Sequence, residues 1–115
     1  MKRNKMDINE YQKLALRTSR GELDNEQHLM NGCLGLAGEA GECCDLLKKR
    51  NFQDGREIRE KLIDELGDVL WYVSETAAGL GVWLDEIARH NIEKLKKRYP
   101  DGFSEERSLH REETK

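Results

Sequence analysis

Apolar residues recur every three or four positions in four stretches of the chain, which places them on one face of an α-helix in each stretch. Three of the stretches open with an Asp that precedes a Glu or Gln by three residues, the spacing of an N-terminal capping box. No stretch keeps the alternation of apolar and polar residues that a half-buried strand requires. The pattern predicts an all-α protein with a four-helix bundle-like protomer. Its predicted helices run over about residues 7–20, 24–50, 54–78 and 82–98.

The link between the second and third helices carries a turn signal, Asn51-Phe52-Gln53-Asp54-Gly55, which ends in Asp-Gly. We expect the chain to fold back here, so that these two helices form an antiparallel hairpin. The second helix is rich in glycine, which destabilises a helix interior. This indicates either that another backbone or a ligand approaches closely, or that the helix is locally weak. The glycines are Gly32, Gly35, Gly38 and Gly41.

Each helix of this hairpin carries two carboxylates that are three residues apart and therefore lie on one helical face. The pairs are Glu39 with Glu42 and Glu65 with Asp68. Residues 42 and 65 have their midpoint between residues 53 and 54, inside the predicted turn, and so do residues 39 and 68. The hairpin therefore brings Glu42 level with Glu65 and Glu39 level with Asp68, so that four carboxylates converge.

Converging carboxylates repel one another, and each raises the pKa of its neighbours. Hard divalent cations such as Mg²⁺ and Mn²⁺ bind oxygen ligands and relieve this repulsion. The alternative is a solvated helix face, which is the usual meaning of a single Glu-x-x-Glu motif. Because two such motifs are mirrored about a turn within apolar sequence, the pattern favours a site for Mg²⁺, with Mn²⁺ able to replace it.

Composition bounds the architecture and the partners. At 115 residues the chain fits one domain. Hydrophobic and charged residues each make up 37% of it, so the core is modest, and we expect the helices to bury their remaining apolar surface against a second copy in a homo-oligomer. A net charge of −3 argues against nucleic acid as a partner.

No apolar run reaches the roughly 20 residues of a membrane span, and no apolar signal core follows the basic N-terminus. We therefore expect a cytoplasmic protein that does not contact a membrane. The three cysteines, Cys33, Cys43 and Cys44, are expected to be reduced and to pack in the core. Residues 1–103 are expected to form the helical domain, and residues 104–115 a polar C-terminal tail.

Two further features are candidates for substrate binding. Tyr72 lies four residues after Asp68 on the same helical face, where it would either flank a base or sugar or serve as a core tyrosine. Asn91, Lys94 and Arg98 follow one side of the fourth helix. They would form a phosphate clamp, or the two cations would simply favour the C-terminus of their helix.

These residues resemble the MazG-like nucleotide pyrophosphohydrolases, a group within the all-α NTP pyrophosphatase superfamily. The resemblance covers residues from about 11 to 103, and it is closest to the short, single-domain members. Its motifs are Leu36–Glu42, Asp64–Tyr72, Asn91–Leu95 and Arg98–Phe103. Many members open the first motif with a doubled glutamate, whereas this chain has Gly38 in that place.

The resemblance implies a Mg²⁺-dependent hydrolase that converts nucleoside triphosphates, NTP or dNTP, to the monophosphate and pyrophosphate, in nucleotide-pool house-cleaning. It also implies a homodimer or a dimer of dimers. The metal ligands that the resemblance implies are Glu39, Glu42, Glu65 and Asp68. Contacts to the phosphates or the nucleotide fall on Asn91, Lys94 and Arg98.

Hydrolysis also needs a group that takes the proton of the attacking water, and we expect Glu42 or Glu65 to do so. One rival is a ferritin-like iron bundle, which requires Glu-x-x-His motifs that the sequence lacks. Another is a non-catalytic helical dimer with a regulatory or interaction role that retains the fold.

Overall fold

The computed structural model describes residues 5–54 and 57–102. Four α-helices form in chain order: α1 (Ile8–Leu16), α2 (Asn25–Lys49), α3 (Arg59–Leu80) and α4 (Leu84–Arg98). One turn of π-helix, Arg50–Asp54, follows α2. No β-strand occurs in these residues, and the predicted all-α fold is confirmed.

The described part of the chain divides after Trp83 into two compact units, of which the first holds α1, α2 and α3 and the second holds α4. None of the described helices has the length and apolar character needed to cross a membrane. The predicted polar tail, 104–115, lies outside the described residues.

Side chains fix the starts of the first two helices. The Asp7 carboxylate accepts hydrogen bonds from the backbone N–H groups of Asn9 and Glu10, at 2.7 and 3.4 Å. Asp24 and Gln27 form the complete reciprocal capping box, with bonds of 2.8 and 2.9 Å. Both of these predicted helix starts are therefore confirmed.

The start of α3 was predicted wrongly. Asp54 is not its N-cap, because the π-helical turn extends the preceding helix through this residue. The N-cap of α3 is Ile58, and the carboxylate of Glu57 accepts a hydrogen bond of 2.7 Å from the backbone N–H of Arg59. The local capping signal at Asp54 is thus overridden because the preceding helix continues through this residue.

The hairpin of α2 and α3 is antiparallel, as predicted. Gly32 faces Thr76, and Gly35 faces the ring of Tyr72. A Cβ atom at either glycine would overlap the residue opposite, so the absence of a side chain is what allows the helices to approach this closely. Residues 32 and 76, and residues 35 and 72, have midpoints within one residue of the predicted turn centre. This confirms the predicted register of α2 against α3.

The buried face of α2 differs from the expected one. Gly32 is buried and Gly35 half-buried, whereas Cys33, which was predicted to pack in the core, is exposed, as are Ala40 and Leu47 of the same helix. Cys44 is exposed as well, so the prediction that the cysteines pack in the core is wrong for two of the three. Gly32 and Gly35 give close contacts between α2 and α3, and Leu29 of α2 also packs against Gly79 of α3.

Hydrogen bonds attach α1 and the segment after it to α3. The indole N–H of Trp71 donates to the backbone carbonyl of Ala15 at 3.1 Å and to the hydroxyl of Thr18 at 2.8 Å. The side-chain amide of Gln12, which is buried, donates to the carbonyl of Val82 at 3.0 Å. These bonds place α1 beside the part of α3 that carries Asp68 and Tyr72.

Candidate active site

Three carboxylates converge on the hairpin. Glu39 projects from α2, and Glu65 and Asp68 project from one face of α3. One oxygen from each lies within 4.8 Å of the oxygens of the other two. Glu39 and Glu65 are half-buried and Asp68 is exposed. We call these three residues the acidic cluster.

One oxygen of the acidic cluster has no hydrogen-bond donor among the described residues. The Oε2 atom of Glu65 is buried, yet it has no partner among the described residues. The carboxylate of Glu39, which is placed to share a proton with Glu65, raises the pKa of Glu65, and burial and the negative charges of its neighbours raise it further. An unpartnered buried oxygen beside two further carboxylates fits a divalent cation with oxygen ligands.

Glu42 lies outside the acidic cluster. It is exposed, one helical turn beyond Glu39 on α2. The structure thus brings together three of the four predicted carboxylates, and a ligand role for Glu42 stays a prediction.

Two aromatic side chains stand beside the acidic cluster. Glu39, Asp68, Trp71 and Tyr72 line an open cavity of about 330 Å³. The rings of Trp71 and Tyr72 meet edge to face, with centroids 5.0 Å apart and planes at 83°. Tyr72 thus lies where a substrate-binding residue was expected. Trp71 was missed, although its position three residues after Asp68 puts it on the same side of α3.

The phenol of Tyr11, on α1, interacts electrostatically with Asp68 of the acidic cluster. Burial raises the pKa of Tyr11, and the negative charge of Asp68 raises it further. Tyr11 was not predicted as a functional residue. Nothing in the sequence indicated that α1 would pack at this end of the hairpin.

The predicted phosphate contacts lie on α4. Asn91 is exposed, while Lys94 and Arg98 are half-buried and four residues apart on one side of the helix. The Nε atom of Arg98 is buried and has no hydrogen-bond partner within residues 5–54 and 57–102. Their contact with phosphate stays a prediction.

A fourth carboxylate, Glu75 on α3, has a different environment and was missed in the sequence. It is fully buried. One oxygen accepts hydrogen bonds from the Ser19 hydroxyl at 2.6 Å and from Nδ1 of His28 at 2.8 Å, and the other accepts from the Asn31 amide at 2.6 Å. Burial raises the pKa of Glu75, but these bonds and the interaction with the imidazole charge outweigh it, so the pKa lies below its usual value.

The fold and the acidic cluster define an all-α protein in which a helix hairpin brings three carboxylates together. Residues 27–103 match the sequence profile of the MazG nucleotide pyrophosphohydrolase domain, and the chain belongs to this family. It is also 39% identical over 92 residues to the Gene 37 protein of Mycobacterium phage L5, across 76% of this chain and 81% of the phage protein. No solved structure matches the chain.

The family match confirms the predicted resemblance. It begins within the first turn of α2 and leaves out α1. The acidic cluster, Trp71 and Tyr72 therefore all lie inside the matched region, while Tyr11 lies before it.

Proposed function

We propose that this protein is a Mg²⁺-dependent nucleoside triphosphate pyrophosphohydrolase that converts NTP or dNTP to the monophosphate and pyrophosphate. Membership of the MazG family supports the reaction class. The observation that carries the proposal is the acidic cluster, in which one oxygen from each carboxylate lies within 4.8 Å of the other two and a buried oxygen has no donor among the described residues. Removal of unwanted nucleotides is the role that this reaction would serve.

Glu39, Glu65 and Asp68 would hold the metal ion, and Glu42 would complete the set from the next turn of α2. Carboxylate oxygens are the ligands that Mg²⁺ and Mn²⁺ accept, and Mg²⁺ commonly keeps waters and substrate phosphates in its remaining positions. When bound, the ion would neutralise charge on the triphosphate and lower the pKa of a coordinated water.

The remaining roles belong to the side chains around the acidic cluster. Glu42 or Glu65 would accept a proton from the attacking water. Glu42 has its oxygens outside the group that fits the metal, and the buried Oε2 of Glu65 has no donor among the described residues, so either carboxylate could accept the proton. Asn91, Lys94 and Arg98 would contact the phosphates, and Tyr72 would flank the base or sugar.

A second copy of the chain would cover the exposed apolar side chains of the hairpin. Met30 and Leu34 on α2 are 55% and 67% exposed, and Ile63 and Leu66 on α3 are 47% and 55% exposed. Exposed apolar patches are characteristic of protein interfaces. We expect a homodimer or a dimer of dimers, and Leu34→Glu should lower the mass measured by light scattering.

The test is pyrophosphate release from the common NTPs and dNTPs, measured with Mg²⁺ and with EDTA. Release that requires the metal, and that is lost in Glu39→Gln, would support the proposal. Glu60→Gln is a matched control, because Glu60 lies on α3 but is 84% exposed and pairs with Arg59. A folded protein that releases pyrophosphate from none of these nucleotides would contradict the proposal and favour the non-catalytic helical dimer.

A further inference from the structure

Trp71 is the large aromatic surface nearest in sequence to the acidic cluster. It follows Asp68 by three residues on α3, about one helical turn away, and it lines the same cavity as Asp68 and Glu39. Its ring is half-buried, so part of it faces the cavity. A nucleotide whose phosphates lie at the acidic cluster would place its base over the next turn of α3, where Trp71 stands.

The polar atom of Trp71 is already engaged within the protein. Its indole N–H is shared between the hydroxyl of Thr18 at 2.8 Å and the carbonyl of Ala15 at 3.1 Å. The Thr18 hydroxyl in turn donates to the same carbonyl at 2.7 Å. This closed set of three hydrogen bonds ties the ring to the end of α1 and, with the edge contact to Tyr72, fixes its orientation.

The hydrogen bonding determines what Trp71 can offer a ligand. Tryptophan has one donor and no acceptor, and that donor is used here. Only the ring itself remains, and an aromatic ring contacts a base by stacking, which depends on the area of the base and not on its hydrogen-bonding edge. A purine presents more area than a pyrimidine.

We propose that Trp71 stacks on the nucleobase and makes the site prefer purine triphosphates over pyrimidine triphosphates, with little discrimination among purines that differ at their edges. Thr18 is a positioning residue that holds the indole through its N–H. The proposal rests on the proposed function only in taking a nucleoside triphosphate as the ligand.

Steady-state kinetics test the stacking role. Trp71→Ala should raise KM for purine dNTPs about tenfold or more, as loss of a base-stacking residue does, with a smaller rise for pyrimidine dNTPs and little change in kcat. Trp71→Phe keeps an aromatic ring and should retain most of the purine preference. An equal rise in KM for both base classes, or no rise, would overturn the proposal.

A binding measurement separates this proposal from the proposed reaction. The Nζ atom of Lys13 lies 5.5 Å from the ring centroid of Trp83, the other tryptophan. Trp83→Phe keeps a ring at this position and leaves Trp71 as the single tryptophan reporter. In that variant, with Mn²⁺ present, a purine dNTP should quench the emission of Trp71, whereas inorganic tripolyphosphate should bind without comparable quenching. Quenching without pyrophosphate release would leave the stacking role standing while the hydrolase activity fails. Tripolyphosphate binding without any effect of a purine dNTP on the emission would overturn the stacking role.

Rescue by a conservative variant tests the positioning role. Thr18→Val removes the hydroxyl that accepts from the indole, so it should weaken the purine quench and raise KM with kcat unchanged. Thr18→Ser restores the hydroxyl and should restore both values. If Thr18→Val lowers the affinity for tripolyphosphate as much as that for the purine dNTP, the contact merely supports the fold and the assignment of Thr18 is wrong.

Discussion

Helix α3 carries carboxylates in two opposite environments only two to three turns apart. Near Asp68, the buried Oε2 atom of Glu65 accepts no hydrogen bond from the described residues, and the pKa of Glu65 is raised. At Glu75 three side chains donate to a fully buried carboxylate, and its pKa is lowered. The protein thus satisfies the carboxylate of Glu75 internally, whereas one buried oxygen of Glu65 has no donor among the described residues.

The facing helix sets this difference. Opposite Glu75, α2 presents His28 and Asn31, which both donate hydrogen bonds. Opposite Asp68, two to three turns further along, α2 presents Glu39, which offers carboxylate oxygens in place of the imidazole and amide donors. Helices α2 and α3 therefore form both a structural site and a candidate metal site from carboxylates, because the residues that α2 places opposite them differ.

The largest expected effect is on turnover. Asp68→Asn removes one charged ligand of the acidic cluster, and loss of several kcal/mol of metal-dependent transition-state stabilisation lowers kcat/KM by at least about a hundredfold. The circular dichroism spectrum should stay that of a helical protein. Glu60→Gln, which changes an exposed acid on the same helix, should keep wild-type turnover. Normal turnover of Asp68→Asn at saturating Mg²⁺ would remove Asp68 from the site.

The second effect is on stability and belongs to Glu75. Glu75→Gln places an amide among three donors inside the protein, and we expect it to lower the free energy of unfolding by about 2–4 kcal/mol. Denaturant unfolding measures this, with Ser74→Ala as the control, since the buried Ser74 hydroxyl bonds only to the carbonyl of Leu70 in its own helix. A cost below that of Ser74→Ala would mean that the hydrogen-bonded set is unimportant for the fold.

Metal-linked stabilisation distinguishes the two environments directly. A ligand present at one hundred times its dissociation constant stabilises the native state by about 2.7 kcal/mol, so Mg²⁺ should raise the Tm of the wild type. Glu75→Gln should start from a lower Tm and keep this rise, whereas Asp68→Asn should lose it. A rise in Tm of equal size in Asp68→Asn would show that the ion binds elsewhere.

Much of this contrast was visible in the sequence, because helix periodicity and the turn fix the register of a hairpin. Glu39 was predicted to lie level with Asp68, and the structure places an oxygen of each in one group. The close approach predicted from glycine occurs at Gly32 and Gly35. It does not occur at Gly38 and Gly41, where a Cβ atom would meet nothing within 4 Å.

The rest depended on tertiary choices that local pattern does not encode. Only packing against α3 decides that Gly32 is buried and that the neighbouring Cys33 is exposed. A glutamate is ordinarily read as a surface residue, so the burial of Glu75 follows only from donors that come from distant sequence, such as Ser19. The contact of Thr18 with Trp71 is equally non-local.

A pH series would sharpen the contrast through Glu75. Its pKa is lower in the folded state than in the unfolded chain, so the carboxylate stabilises the fold above the unfolded value, near 4.5, and this contribution is lost as pH falls through the folded pKa. The stability difference between wild type and Glu75→Gln should therefore be full at neutral pH and shrink in acid. Unfolding at stepwise lower pH measures it, and a difference that stays constant down to pH 3 would contradict the assignment.

The smallest effect has the opposite sign and comes from Glu65. Its pKa is raised in the folded state, so without metal its ionised form opposes folding above that pKa, and this penalty is absent below the unfolded value. In EDTA at neutral pH, Glu65→Gln should raise the Tm slightly, by less than Glu75→Gln lowers it, and the gain should vanish in acid. Adding Mg²⁺ should reverse the order of wild type and Glu65→Gln, because the wild type alone keeps the full set of charged ligands. If Glu65→Gln lowers the Tm in EDTA, then Glu65 has internal partners as Glu75 does, and the contrast between the two carboxylates fails.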